Sequence, residues 1–250
     1  MPELATKFLT SFDGTRLAVH EMGEGPPVLL LHGLFSSAQM NWIRFGHAEL
    51  LAQAGFRAIM PDLRGHGQSD APHDPACWPG DVLVRDAAFV VEALGLDDYD
   101  LVGFSLGART ACAAVIAGLQ PRKLVLAGMG LESLDNWQAR SDFFLDAIDR
   151  FDDVKPGDPA HFVVSFMKTM KIDREAARLL LSDGVTIRRE DLAQVTMTTL
   201  VLCGDEDDDN GSPQALAEAL PNARLQLIPG NHMGSVTKPD MGAALVEFLT

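Results

Sequence analysis

Apolar positions in the first hundred residues change period several times, and each change marks an element. Residues 8–12 alternate, Asp13-Gly14 supplies turn chemistry, and alternation resumes from Leu17 to Met22, which predicts a β-hairpin. After Pro26-Pro27 comes Val28-Leu29-Leu30-Leu31, a continuous apolar run suited to a strand covered on both faces. A helix-like stretch from Trp42 to Ala54, a strand at Arg57–Met60, a helix from Asp81 to Leu94 and a strand at Leu101–Phe104 follow in turn. This βαβ order predicts a mostly parallel sheet with right-handed crossovers and helices on both faces.

The next helix is built of small residues. Ala108, Thr110, Ala111, Cys112, Ala113 and Ala114 allow it to lie close against the sheet, buried nearly all round. Arg109 is its exception, expected to reach solvent or to pair near the helix start rather than to bind substrate. A strand follows at Lys123–Ala127, but the core pattern returns only at Thr199–Cys203.

Residues 130–198 between them show helical periodicity without strands and are read as a cap, leaving 1–129 and 199–250 as the core. Within the cap, Asp158-Pro159 is expected to be an N-cap followed by the first helical position. Phe162, Val163, Phe166, Met167 and Met170 then fall at helical spacing. Trp137, Phe143, Phe144 and Ile148 form a second such set, separated from the first by Pro156-Gly157. Beyond the cap, Ser212-Pro213 starts a helix through Leu220 and Leu225–Ile228 makes a strand. Met241, Ala244, Leu245, Phe248 and Leu249 draw a helical stripe.

Composition narrows the class. Over 250 residues, 47% hydrophobic and 22% charged residues are ordinary globular values, and the longest apolar run is far too short to span a bilayer. A formal net charge of -15 argues against nucleic acid, whose phosphates need clustered Lys and Arg. Three scattered cysteines do not make a disulfide framework or a zinc site, and residues 1–10 carry no secretory pattern; a cytoplasmic protein is expected.

Chemistry concentrates where the fifth strand ends, in Gly103-Phe104-Ser105-Leu106-Gly107. A Gly-x-Ser-x-Gly segment between strand and helix reads as a nucleophile elbow, a sharp turn that presents the serine to substrate. A serine hydroxyl needs a base within hydrogen-bond reach and a third group to hold that base. Of the seven histidines, His232 follows a strand and precedes the last helix, which puts it at the carboxyl edge of the sheet beside Ser105. His32 and His66 also lie in glycine-containing loops at that edge and are expected to brace them. The orienting acid comes from Asp205-Glu206-Asp207-Asp208-Asp209, of which only one need face His232.

Five segments together resemble the α/β-hydrolase fold superfamily of serine esterases and lipases. They are His32-Gly33, Asp62-Leu63-Arg64-Gly65-His66-Gly67-Gln68-Ser69, Gly103-Phe104-Ser105-Leu106-Gly107, Gly204-Asp205-Glu206-Asp207 and Gly230-Asn231-His232. The resemblance implies an α/β protein with a mostly parallel eight-stranded sheet flanked by helices and a small helical cap inserted after the sixth strand. It implies Ser105 as nucleophile, His232 as base and Asp207 as acid, with Asp205 and Asp208 the alternatives, and an oxyanion hole from the backbone N–H groups of Leu34 and Leu106. Arg64 and His66 are read as loop-bracing residues. Ala108 and Asn231 stand where many relatives carry glycine, while Ser105 stands where relatives that open epoxides or displace halide carry aspartate.

The expected activity is hydrolysis of carboxylic esters with small to medium uncharged acyl groups through an acyl-enzyme, without metal or cofactor. Phe35, Phe104, Met129, Trp137, Phe144, Phe166 and Met233 are expected to line the substrate pocket. Carbon–carbon bond hydrolysis, thioester cleavage, peracid formation or a non-catalytic small-molecule receptor are the alternatives on the same fold. The expected partner is a small ester-like molecule, with neither nucleic acid nor membrane, and the protein is expected to be a monomer or homodimer.

Overall fold

In the computed structural model, which describes residues 2–250, eight strands are joined into one sheet. They are β1 (Leu4–Thr10), β2 (Arg16–Met22), β3 (Pro27–Leu31), β4 (Arg57–Pro61), β5 (Asp100–Phe104), β6 (Lys123–Ala127), β7 (Thr198–Gly204) and β8 (Ala223–Ile228). Their spatial order is β1-β2-β4-β3-β5-β6-β7-β8. The pairs β1·β2 and β2·β4 are antiparallel, and every pairing from β4·β3 to β7·β8 is parallel. The chain reverses direction across the sheet between β3 and β5, so the carboxyl ends of the central strands open a crevice where ligands of such sheets bind.

Residue alternation along the strands sorts the core into two layers. Leu29, Leu31, Leu101, Leu124 and Leu126 face one cluster; Val28, Leu30, Val102, Val125 and Leu200 face the other. The helices α1 (His47–Gln53), α2 (Val82–Ala93) and α3 (Leu106–Ile116) follow β3, β4 and β5 as crossovers. Beyond β6 the chain is helical, with α4 (Leu131–Asp135), α5 (Trp137–Asp149), α6 (His161–Met170) and α7 (Arg174–Ser182) completing the insertion before β7. After β7 come α8 (Pro213–Ala219), the short α9 (His232–Ser235) and α10 (Pro239–Leu249). The insertion carries its own small core, in which Ile148, Val164, Met167 and Leu181 pack with Phe35.

Several expected boundaries move, each for a local reason. The first hairpin strand occupies Leu4–Thr10 rather than 8–12, because the turn closes earlier, through Ser11 N–H to Thr15 O at 2.8 Å and Gly14 N–H to Ser11 O at 3.0 Å. The single helix expected from Trp42 to Ala54 is divided into a π-helical turn at Gln39–Ile43 and α1, interrupted at Gly46, whose φ is +82°. Asp158-Pro159 does not open α6. Asp158 instead accepts from the Ala160 N–H at 2.8 Å, forming a turn that delays the helix to His161. Helix α7, not anticipated, is started by Asp173, whose carboxylate accepts from the N–H groups of Glu175 and Ala176.

Of the two arms of the expectation for Arg109, reaching solvent and pairing near the helix start, the first is not met. Arg109 is 6% exposed, and its guanidinium donates to the carbonyls of Ser133, Leu134 and Val185. The charge therefore joins α3 to the start of the insertion and to the segment after α7 instead of reaching solvent.

Candidate active site

Strand β5 ends at Phe104 and α3 begins at Leu106, so Ser105 alone makes the turn. Its φ of 53° and ψ of −115° lie outside the regions that side chains ordinarily occupy, and surrounding packing must hold them there. A Cβ at Gly103 would lie 2.2 Å from the Gly107 carbonyl oxygen, and one at Gly107 would lie 2.1 Å from that of Leu31. Both glycines are thus required for the elbow to lie against β3. Ala108, by contrast, is fully buried without a conflict that calls for glycine.

His232 starts α9 directly after β8. Asn231 caps this short helix by accepting from the Gly234 N–H at 2.8 Å, so the residue that departs from the family's glycine serves as a capping side chain. The imidazole stacks on Phe104, and its Nε2 lies 3.1 Å from Ser105 Oγ. Its Nδ1 lies 2.8 Å from Asp207 Oδ2. With Nδ1–H donating to the carboxylate, Nε2 is free to accept the serine proton.

Asp207 is the acid of the run that turns inward. Burial raises its pKa, but the hydrogen bond and charge of His232 outweigh this, so the carboxyl is held below the usual carboxylate range. Its other oxygen accepts from the Asp209 N–H at 3.2 Å, and the Cys203 thiol donates to Oδ2 at 3.5 Å. Asp205 turns elsewhere and accepts from the Gly230 N–H at 2.8 Å, while Asp208 is exposed. Donor atoms of Asp207, Asp209 and His232 lie within 4.8 Å of one another, but Asp207 and His232 already use theirs on each other.

The loop after β3 faces Ser105. The Phe35 N–H donates to His66 Nε2 at 3.0 Å, and the Leu63 N–H donates to His32 Nε2 at 2.9 Å. His66 Nδ1 donates in turn to Arg64 O and His32 Nδ1 to Gly33 O. Arg64, fully buried, is paired with Asp13 and Asp86. Among the described residues, the Leu34 and Leu106 N–H groups have no acceptor; Leu106 opens a helix, where the first amides are always left over.

Above Ser105 lies a cavity of about 440 Å³. Phe35, Phe104, Phe144, Phe166 and Met233 are among the residues that line it. Met129 and Trp137 are not. They border a recess of about 40 Å³ on the other side of Ser105, where Trp137 packs over Arg109 with its ring centroid 5.1 Å from the guanidinium carbon. Phe143, Phe162, Arg140 and Asp209 also line the main cavity and lie outside the set of pocket residues expected from the sequence. Phe143 and Phe162 were visible as members of apolar helix faces; nothing in the sequence marks Arg140.

A sequence profile of the α/β hydrolase fold matches residues 26–191, and the chain belongs to that family. Epoxide hydrolase 2 of Siraitia grosvenorii is 39% identical over 102 residues, a segment spanning 40% of this chain and only 31% of that enzyme. A non-heme haloperoxidase of Rhodococcus erythropolis is 28% identical over 281 aligned positions, covering 97% of this chain and 98% of that protein. An esterase from Exiguobacterium antarcticum superposes with a TM-score of 0.76 at 21% identity, over 98% of this chain and 99% of that one. Among the described residues, no helix is long and apolar enough to cross a membrane.

Proposed function

We propose that the protein is a serine hydrolase that cleaves carboxylic esters of small to medium acyl groups through an acyl-enzyme on Ser105. The observation that carries this reading is the continuous chain from Ser105 Oγ to His232 Nε2 at 3.1 Å and from His232 Nδ1 to Asp207 Oδ2 at 2.8 Å, beneath an apolar cavity.

Ser105 attacks the carbonyl carbon as its proton passes to His232, and Asp207 holds the resulting imidazolium. The Leu34 and Leu106 amides, pre-aimed and unspent, stabilise the oxyanion without reorganising. His232 returns the proton to the leaving alcohol. Water then attacks the acyl carbon as its proton passes to His232, the acyl–Oγ bond breaks, and His232 returns the proton to Ser105 as the acid leaves. Ser105 occupies the elbow where the resemblance implies aspartate for epoxide opening, so similarity to epoxide hydrolases does not carry that activity over.

Hydrolysis of p-nitrophenyl acetate and butyrate by wild type and Ser105→Ala tests the reading. The substitution is expected to lower turnover on the order of 10⁴- to 10⁶-fold. Equal activity in the two proteins would exclude Ser105 as nucleophile.

One other reading has specific support, the near full-length similarity to a haloperoxidase. If hydrogen peroxide replaces water at the acyl-enzyme, a peracid leaves instead of an acid. Peroxide added to the same ester assay would reveal it by peracid formation that depends on Ser105.

A further inference from the structure

The cavity over Ser105 is lined mainly by aromatic and aliphatic side chains, with Ser36, Asn41, Asp209 and His232 among its polar members and Arg140 of α5 beside Phe144 as its cation. Its guanidinium carbon is 5.4 Å from the Phe144 ring centroid, and Nη1 donates to the backbone carbonyl of Asp209 at 2.6 Å. The chain holds 35 acidic residues against 20 Lys and Arg, and its arginines mostly find carboxylates. Arg64 pairs with Asp13 and Asp86, Arg122 with Asp98 and Asp100, and Arg150 with Asp146 and Asp158. Arg140, among the described residues, has only the carbonyl oxygen as hydrogen-bond partner.

Two further facts place this cation at the reacting centre. Among the described residues, Arg140 is the one lysine or arginine that lines the main cavity, and it also borders the 40 Å³ recess together with Ser105, Leu34 and Leu106. Arg140 is half-buried, and burial draws its pKa down despite the nearby charges of Asp209 and Asp207. An arginine stays charged at any working pH and presents a rigid fork of donors that fits a carboxylate side by side.

We infer that Arg140 binds a carboxylate on the substrate, and that the preferred substrates are monoesters of short dicarboxylic acids, held with the ester carbonyl at Ser105 and the free carboxylate at Arg140. This rests on the ester-hydrolase reading above and narrows it, replacing the uncharged acyl groups expected from the aromatic lining. Arg140 and Ser105 line the same cavity and border the same small recess, so a short acyl chain is the one proposed to join them. Hydrolysis consumes one water and releases the dicarboxylate and the alcohol.

The test compares kcat/KM for monoethyl glutarate and ethyl pentanoate, matched in acyl length, by pH-stat. Wild type is expected to favour the monoester at least tenfold, and Arg140→Met to reduce that ratio 10- to 100-fold, with Arg140→Lys restoring part of it. A ratio near one in wild type, or proportional loss on both esters in Arg140→Met, overturns the inference and leaves Arg140 as a brace of the Asp209 loop.

Calorimetric titration of glutarate into Ser105→Ala, with and without Arg140→Met, reads the same contact without turnover. Binding lost at least tenfold in the double variant supports the inference, and equal binding or none in either protein overturns it. Asp209→Asn, which removes the competing carboxylate, is expected to tighten glutarate several-fold, and weaker binding there counts against it. Should wild type cleave neither ester, the acyl-enzyme reading fails, and the titration still decides whether Arg140 holds a carboxylate.

Discussion

Phe104 lies stacked on the imidazole of His232, with ring centroids 4.9 Å apart and ring planes at 29°. The residue just before the proposed nucleophile thus supports the proposed base, and glycines make room for it. A Cβ at Gly128 would lie 2.7 Å from Phe104 Cε2 and 3.1 Å from His232 Cε1. An aromatic pair of this kind contributes about 0.5–1.5 kcal/mol beyond area burial. Phe104→Leu, which keeps most of the apolar volume, is therefore expected to lower kcat roughly two- to tenfold through a less confined imidazole. Steady-state kinetics on p-nitrophenyl butyrate, read beside thermal unfolding, would show it; an unchanged kcat would mean that the ring is held by Asp207 alone.

Asp207→Asn is expected to be far more costly. An amide in place of the carboxylate no longer fixes the His232 tautomer, and the loss in kcat should be about 10⁴-fold. Asp205→Asn removes charge from a group that accepts from the Gly230 N–H and Asp208→Asn changes an exposed side chain, so each is expected to stay within about tenfold of wild type. The three variants measured side by side settle which acid serves His232. A collapse in Asp205→Asn with Asp207→Asn active would reverse the assignment.

The elbow and the sheet were legible because their signals are local. A continuous apolar run at Val28–Leu31 and glycines two residues either side of Ser105 state what the backbone must do there, and short-range sterics enforce it. Asp207 was favoured over Asp205 and Asp208 only by the resemblance, since an acidic run by itself does not say which carboxylate turns inward. Arg109 and Arg140 were not legible, since their roles depend on which carbonyls and ring the insertion brings to them. Asp158 misled because Asp-Pro is equally good chemistry for a turn, and the Ala160 N–H was close enough to take its carboxylate first.

Arg109 links α3, which starts at the elbow, to the start of the insertion and to the segment after α7 through carbonyls of Ser133, Leu134 and Val185. Removing it leaves buried carbonyl oxygens without donors, at about 1–3 kcal/mol each where water cannot replace the guanidinium. Arg109→Met is expected to destabilise the fold by roughly 3 kcal/mol or more and to speed amide exchange in α4 and near Val185 ahead of the central strands. Exchange measured by mass spectrometry that rose uniformly, or not at all, would contradict a joint of this kind.

Stability should fall in mild acid, and the buried histidines set the window. Burial holds His32 down to about 3, and burial also lowers His47 and His66 below the ordinary histidine value of 6.5. Each is neutral in the folded protein. His32 and His66 use Nδ1–H as donor and Nε2 as acceptor, an arrangement that a second ring proton would break. Because the folded pKa lies below the unfolded one, their contribution is complete above about pH 6.5 and is lost as pH falls toward the folded value. By pH 5 the His32 shift alone removes about 2 kcal/mol, or roughly 4–8 °C in Tm for a chain of this size. The depressed carboxyls of Asp62 and Asp207 act only lower, below their ordinary 3.8, so the fall between pH 6.5 and 5 belongs to the histidines. Thermal unfolding of wild type and His32→Gln across that interval checks the assignment. The variant starts less stable but should lose less on acidification, and parallel slopes would show that His32 takes up its proton without unfolding the loop it braces.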